Sequence, residues 1–289
     1  MGQQRIGRIQ WGDLTFGPGS PYMVTAINGL DDMPDIRAED IARPDQHGDY
    51  TGPDTTGARI IQLGLGLRAD SPDELRKLTL ALRAATQPQR QPQPLRLLDQ
   101  DTLVYGKVRQ RNIPYDAEYL WRTGTAALEL YCADPHLYSL TEHSASTTAY
   151  SPAAGRTYPL TYTGAVPGRM YGDAGQSGRL TAINDGASPA YPVLRIDGPV
   201  ANPSIEQVTT GGGLVIDGTL QPGEYLVIDT RTRAVLLMGS SPRRSWVRAG
   251  STWPLLQPGP NSLAYRGSAL PGASGQPSLL TVTWRDTSL

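Results

Sequence analysis

Apolar and polar residues alternate along Arg59–Arg68: Ile61, Leu63, Leu65 and Leu67 fall on one face, Gln62, Gly64 and Gly66 on the other. A two-residue period of this kind predicts a half-buried strand. Upstream, residues 6–14 and 22–30 read as strands on either side of the Gly17-Pro18-Gly19-Ser20-Pro21 turn. Residues 31–57 are polar and broken by Pro34, Pro44, Gly48, Gly52 and Pro53, which predicts a long loop of the length that is usually functional or flexible. The period then changes. Leu75, Leu78, Leu82 and Ala85 recur at helical spacing behind a Ser71 cap, with Pro72 at the first helical position and Glu74 completing a Ser-x-x-Glu box, so a helix is expected over Pro72–Ala85, ended by Pro88. Gln87-Pro-Gln-Arg-Gln-Pro-Gln-Pro94 reads as an extended polar loop. Strands resume at 95–98, 102–110 and 125–132, the last with Ala126, Leu128, Leu130 and Cys132 on one face. This order predicts an antiparallel sheet with one helix packed on it.

The second half has a different texture. Residues 143–160 are rich in Ser, Thr, Ala and Pro and read as a linker, and 164–178 hold five glycines and little apolar content, which suggests an exposed arm. Short strands follow at Arg179–Asn184, 191–196, 205–210, 214–216, Tyr225–Asp229, 234–238, 262–265 and Leu279–Trp284, separated by Gly, Pro and Asn turns. Such spacing is the signature of a β-sandwich or jelly roll. Leu226 and Ile228 outbound, Val235 and Leu237 inbound, and Asp229-Thr230-Arg231-Thr232 between them predict a hairpin. The expected division is therefore a sheet-plus-helix domain over 1–142, a linker and arm over 143–178, and a sandwich over 179–289.

Composition narrows the class. The 32 Gly and 25 Pro among 289 residues come to about a fifth of the chain, against roughly 12% in average usage, and only 18% of residues are charged. That excludes a charged disordered chain and a helical bundle. The net charge of −1 recruits neither nucleic acid nor acidic membrane. It divides unevenly: residues 1–143 hold 15 Lys/Arg and 19 Asp/Glu, residues 144–289 hold 11 and 8. Arg outnumbers Lys 24 to 2, a bias that either bidentate contacts or a GC-rich coding sequence would give. Cys132 stands alone, so no disulfide within the chain and no CxxC zinc site is expected. The N-terminus lacks the charged-then-apolar pattern of a signal peptide and no apolar run reaches membrane-helix length, so a chain made soluble in a cytoplasm is expected.

Catalytic groupings are sparse. Of the three histidines, His47 sits in the long loop and His136 and His143 lie near the domain junction; HExxH, HxH and Gly-x-Ser-x-Gly patterns are missing. Cys132 occupies an inward strand position and reads as a buried, inert thiol. Gly211-Gly212-Gly213 precedes a strand rather than a helix and reads as a hairpin turn, while Gly64-Leu65-Gly66 inside a strand marks a bulge or a close backbone approach. Asp217, Glu224 and Asp229 could form a hydrolytic carboxylate pair, but acids at turns are expected in any case. Trp246, Trp253, Tyr225 and Tyr191 could stack on sugar rings or simply pack the sandwich, and Arg243, Arg244 and Arg248 around Trp246 give a short basic-aromatic loop. The expectation is no enzyme, no cofactor and no metal, with Trp246, Trp253, Arg243 and Arg244 as candidate contacts for a glycan or a protein partner.

Taken in order, the segments Ile27-Asn28-Gly29-Leu30-Asp31, Gly48-Asp49-Tyr50-Thr51-Gly52, Gly57-Ala58-Arg59-Ile60-Ile61 and Ala133-Asp134-Pro135-His136-Leu137-Tyr138-Ser139, then Asn184-Asp185-Gly186, Ala190-Tyr191-Pro192-Val193, Gly198-Pro199, Thr209-Thr210-Gly211, the run Gly223 to Thr230 and Leu256-Gln257-Pro258-Gly259-Pro260-Asn261, resemble the siphovirus tail-component family, the distal tail proteins of phages with long, non-contractile tails. The resemblance covers nearly the whole chain and lies in the order of the motifs, each of which is turn-rich and weak alone. It implies a mainly β fold: an N-terminal tail-tube-like antiparallel sheet or barrel with one helix, and a C-terminal galectin-like or jelly-roll β-sandwich. It also implies a homohexameric ring in the virion tail tip, assembled in the bacterial host cytoplasm. That ring would have tail tube protein above it, hub, tip and receptor-binding proteins below, and genomic DNA passing through its lumen without sequence-specific binding or membrane insertion. The acidic balance of the first domain, multiplied six-fold, predicts a lumen that repels DNA. Two other readings compete: a monomeric carbohydrate-binding protein gripping host glycans through the sandwich, and a tail-associated hydrolase, which the missing catalytic groupings disfavour.

Overall fold

The computed structural model describes residues 7–114, 122–151, 175–270 and 277–289. The chain divides into two compact units, one of residues 1–141 with Ser288–Leu289, the other of Glu142–Thr287.

In the first unit, strands β1 (Ile9–Trp11), β2 (Leu14–Phe16), β3 (Tyr22–Asn28), β4 (Ile36–Arg37), β5 (Ile41–Ala42), β6 (Asp49–Tyr50), β7 (Thr55–Thr56) and β8 (Arg59–Arg68) precede helix α1 (Pro72–Ala85), and β9 (Gln93–Leu97), β10 (Thr102–Asn112), β11 (Thr123–Cys132) and β12 (Leu137–Ser139) follow it. The main sheet runs β2-β1-β9-β10-β11-β8-β3, with β12 also beside β10, and its pairings are antiparallel. Strand β10 joins two halves of the sheet. Thr102–Gly106 pair with β9, and the following residues, from Lys107, pair with β11. Apolar residues from both halves (Ile9, Phe16, Leu95 and Val104; Ile61, Leu63, Leu128 and Leu130) share one core with Leu75 and Leu82 of the helix.

The helix starts where its sequence signals place it. Ser71 Oγ accepts from the Glu74 backbone N–H at 3.2 Å and Glu74 reaches back to the Asp70 N–H at 2.8 Å, an arrangement worth about 1 kcal/mol. Two side chains tie it to the sheet: Trp11 Nε1 donates to Ala85 O and Tyr22 Oη to Leu78 O. Its C-terminal carbonyls are held by Arg111, which donates to Arg83 O at 2.9 Å and to Thr86 Oγ1 at 2.7 Å, a cation where the helix dipole favours one. Thr86 rather than Pro88 forms the cap.

The segment 6–14, expected as one strand, is the hairpin β1-β2, turned by Gly12 at φ 56°. The expected loop 31–57 is a built arm with two short ladders, β4 on β7 and β5 on β6. Opposite Gly64 the partner strand β3 is irregular between Val24 and Ala26, and a Cβ on Gly64 would meet Thr25 Oγ1 at 2.7 Å, so the glycine accommodates a close approach. Cys132 is buried, and a Cβ on Gly106 would lie 2.9 Å from its sulfur. Burial pushes the Cys132 thiol up to about 12, the Arg59 guanidinium pulling it down and Asp134 adding to the rise. Because the thiolate is the reactive form, a thiol reagent at neutral pH should leave the native chain unmodified and label it once the first unit unfolds. Labelling of the native chain at a free-thiol rate would contradict this burial.

The second unit comprises β13 (His143–Thr148), β14 (Arg179–Asn184), β15 (Val193–Asp197), β16 (Val200–Gln207), β17 (Gly213–Val215), β18 (Thr219–Leu220), β19 (Tyr225–Asp229), β20 (Ala234–Leu237), β21 (Ser241–Pro242), β22 (Gly259–Ser268) and β23 (Leu279–Trp284); β24 (Thr287–Ser288) ends the chain's strands. Two sheets, β13-β23-β15-β19-β20-β21 and β14-β22-β16-β17 with β18 beside β16, face each other across a core that includes Leu194, Ile196, Ile228 and Val282 from the first and Ala182, Ile205, Leu214 and Tyr265 from the second. This is the expected sandwich. Residues 143–148 do not begin a linker: they pair with β23 over their whole length. Their Ser, Thr and Ala side chains hide the strand from a hydrophobicity pattern, because the ladder is made by the backbone. Residues 152–174, which hold most of the expected arm, lie outside the described residues. Gly211 and Gly212, both at positive φ, turn β16 into β17, and β19-β20 form the expected hairpin.

Candidate functional site

Three surfaces stand out. The first is the arm of residues 31–57. It carries eight Asp/Glu against two Arg, a net of −6, so the remainder of residues 1–143 is net +2. Met33 is 70% exposed, Ile41 69% and Tyr50 58%, a set of large apolar side chains on an acidic projection. At the arm's base lies Arg59, 2% exposed. Its guanidinium donates to the carbonyls of Gly29, Leu30 and Asp32 on one side (3.1, 2.5 and 2.6 Å) and to Pro135 O at 2.8 Å on the other. Gly29 turns there at φ 79°, where a Cβ would collide with Ile60 O. Burial lowers the Arg59 pKa, offset by Cys132, Asp31 and Asp32.

The second surface is the face of β3, β8, β11 and β10 opposite the helix. The register sets Asn28, Gln62, Glu129 and Gln110 in one row, beside a groove of about 340 Å³. The same face carries Arg68 and Lys107 toward its ends. The face also carries Arg109, whose guanidinium lies 4.5 Å from the Tyr131 ring centroid, so it is rich in amides and has more basic than acidic side chains, and the acidic charge that the sequence assigns to a lumen resides largely in the arm.

The third is a cleft of about 610 Å³ in the sandwich unit, lined among others by Tyr191, Arg231, Arg233, Arg244, Thr252 and Trp253. The Arg244 guanidinium lies 4.3 Å from the Trp253 ring centroid and that of Arg231 5.5 Å from Tyr191. Of the four residues singled out from sequence, Arg244 and Trp253 line this cleft, whereas Arg243 and Trp246 pair with each other at 5.6 Å. Trp246 packs on the core, its ring filling the space a Cβ on Gly218 would need. Sequence reading missed Arg231 and Arg233. The hairpin turn was visible, but not that it folds toward Arg244.

The polar residues weighed for catalysis have structural partners. Asp217 makes a two-pronged pair with Arg248, whose hydrogen bond holds the carboxyl below its usual range. Glu224 accepts from the Gln221 N–H, and Asp229 from those of Arg231 and Thr232, closing turns. His136 and Tyr138 both bond Asp134, and His143 bonds Asp286 while stacking on Trp284. His47 is exposed in the arm. Among the described residues no group of three or more His, Cys, Asp or Glu could hold a metal, and no helix is long and apolar enough to cross a membrane.

The chain is mainly β, with a two-sheet sandwich in its second unit. Residues 185–286 match the family model of the siphovirus-type tail component, C-terminal domain. The match falls in the sandwich unit and is to the family that the sequence resembles. Among solved structures, the Dit protein (gp 19.1) of phage SPP1, described as a paradigm of the hub adsorption apparatus in phages infecting Gram-positive bacteria, superposes with a TM-score of 0.63 at 14% identity, covering 93% of this chain and 94% of that one. A chain of the phage P2 baseplate in its activated conformation with Ca gives 0.51, and the same baseplate with Sr 0.50, each at 10% identity over 96% of both chains. No curated protein matches.

Proposed function

We propose that six copies of this chain form a ring at the distal end of the tail, joining the tail tube to the tip or baseplate and its host-attachment proteins, with DNA passing through the lumen. The observation that carries this reading is the match of residues 185–286 to the tail-component domain, together with whole-chain similarity to a protein described as a hub. The acidic arm supports it, because exposed Ile41 and Tyr50 suit burial against a neighbouring subunit. We assign the row of Asn28, Gln62, Glu129 and Gln110 to the lumen: three amides and a carboxylate offer none of the Lys/Arg contacts to phosphate that hold DNA.

Light scattering on the purified chain, alone and mixed with tail tube protein, tests the ring. The expected mass is six times 31.1 kDa in at least one of the two conditions. The double change Ile41→Asp and Tyr50→Asp should leave a folded monomer in both. A wild-type chain that stays monomeric alone and with tube protein would overturn the reading.

A further inference from the structure

We propose that the arginine cleft of the sandwich unit binds an oxyanion, a phosphate or carboxylate group, carried on a hydroxylated, sugar-sized body. Arg233 and Arg244 bring two guanidinia to one cleft of about 610 Å³ without an Asp or Glu among its lining residues. Arg233 and Arg244 make no ion pair among the described residues. Like charges gathered in this way repel until a counter-charge arrives, so the cleft favours an anionic occupant.

The walls are built before any ligand comes. Thr230, 2% exposed, donates from Oγ1 to Pro192 O at 2.8 Å, and Asp229 Oδ1 accepts from the Arg231 and Thr232 N–H groups, which fixes the turn bearing Arg231 and Arg233. The opposite wall is held by the Thr252 N–H on Gly213 O at 3.0 Å and by the Arg248–Asp217 pair. The aromatic rings have a role other than sugar stacking. Arg244 covers Trp253 and Arg231 lies over Tyr191, so the ring faces orient guanidinium forks instead of lying open. A planar fork is the donor set that matches phosphate and carboxylate oxygens in pairs.

The body of the ligand follows from the rest of the lining. Ser251 and Thr252 bring hydroxyls to the cleft, and its volume falls in the range of small-ligand sites. Turns and loops form most of the wall, which gives an extended peptide no open strand edge to pair with. A phosphorylated or uronic sugar therefore fits better than an acidic protein segment.

Titration calorimetry on the full chain decides it, with glucose 1-phosphate, glucuronate, glucose, inorganic phosphate and a hexaglutamate peptide as probes. The expected result is saturable binding of glucose 1-phosphate or glucuronate at least about tenfold tighter than glucose and weakened by salt. Whichever of the two anionic sugars binds tighter identifies the oxyanion. Arg233→Gln and Arg244→Gln should each weaken it about tenfold or more, with Arg244→Lys restoring part of the loss and Arg179→Gln, on an exposed strand position, changing nothing. Equal affinity for glucose, equal affinity in the two Gln variants, or no saturable binding of either anionic sugar would overturn the proposal. Tighter binding of hexaglutamate would overturn it in favour of a protein partner. Inorganic phosphate binding as tightly as the sugar phosphate would remove the sugar body. None of these outcomes bears on the ring mass, so this inference and the hub reading fail separately.

Discussion

Arg59→Met is expected to cost the first unit about 3–5 kcal/mol, the range for removing one member of a buried charged network. The methionine keeps much of the apolar volume but none of the donors. Four carbonyls, those of Gly29, Leu30, Asp32 and Pro135, then lose their shared partner, that of Leu30 in a buried position. Unpaired buried acceptors cost about 1–3 kcal/mol each when they cannot relax toward water. Arg59→Lys should recover only part of this, because one ammonium cannot span acceptors on two segments more than a hundred residues apart in sequence. Urea unfolding followed by helix ellipticity and by Cys132 labelling measures both. The two probes should move together, since Cys132 pairs with Arg59 across β8 and β11. A loss below about 1 kcal/mol for the methionine variant would mean that the carbonyls find water and that the clasp is dispensable.

The same residue shows what a single sequence discloses. Its strand was legible from Ile61 to Leu67, because alternation is a one-dimensional signal of a half-buried sheet. The start of the helix was legible to the residue, since capping chemistry is local. The role of Arg59 was not, although it stands inside a segment that carries the family resemblance. A buried arginine looks the same in sequence as an exposed one, and its four acceptors lie 27 to 76 positions away. Strand β13 escaped for a related reason: a ladder of Ser, Thr and Ala is held by backbone groups that every residue possesses. The cleft was half visible. Arg244 and Trp253 belong to one loop region, whereas Arg231 and Arg233 arrive from a hairpin whose direction only the fold sets. Charge misled at the level of averages, because a domain net of −4 concealed an arm of −6 and a remainder of +2.

In the second unit, Asn184→Asp should be the most damaging change of a single atom group, with a cost on the order of 3 kcal/mol at neutral pH. Asn184 is fully buried, and its amide is satisfied on both sides. Nδ2 donates to Ser188 O at 2.8 Å and Leu256 O at 3.0 Å, while Oδ1 accepts from the N–H groups of Gly186 and Thr287. It thus holds together the turn after β14, the segment before β22 and the chain end after β23. A carboxylate in its place keeps the two acceptor contacts but sets a negatively charged oxygen against two carbonyls. Burial and those carbonyls both disfavour the charged form, so the introduced carboxyl should titrate in the folded unit above its unfolded value of about 3.9. The sign follows from linkage. A raised folded pKa binds the proton more tightly in the native state, so the stability it contributes is present below the unfolded value and disappears as pH rises through the folded one. The variant should therefore approach wild-type stability near pH 4 and fall away from it toward neutrality, whereas Asn184→Ala should be destabilised at both. Chemical unfolding of the three proteins at the two pH values separates them. A pH-independent deficit in the Asp variant would mean that the carboxylate has turned out to solvent, and that the motif Asn184-Asp185-Gly186 tolerates an opening its hydrogen bonds otherwise forbid.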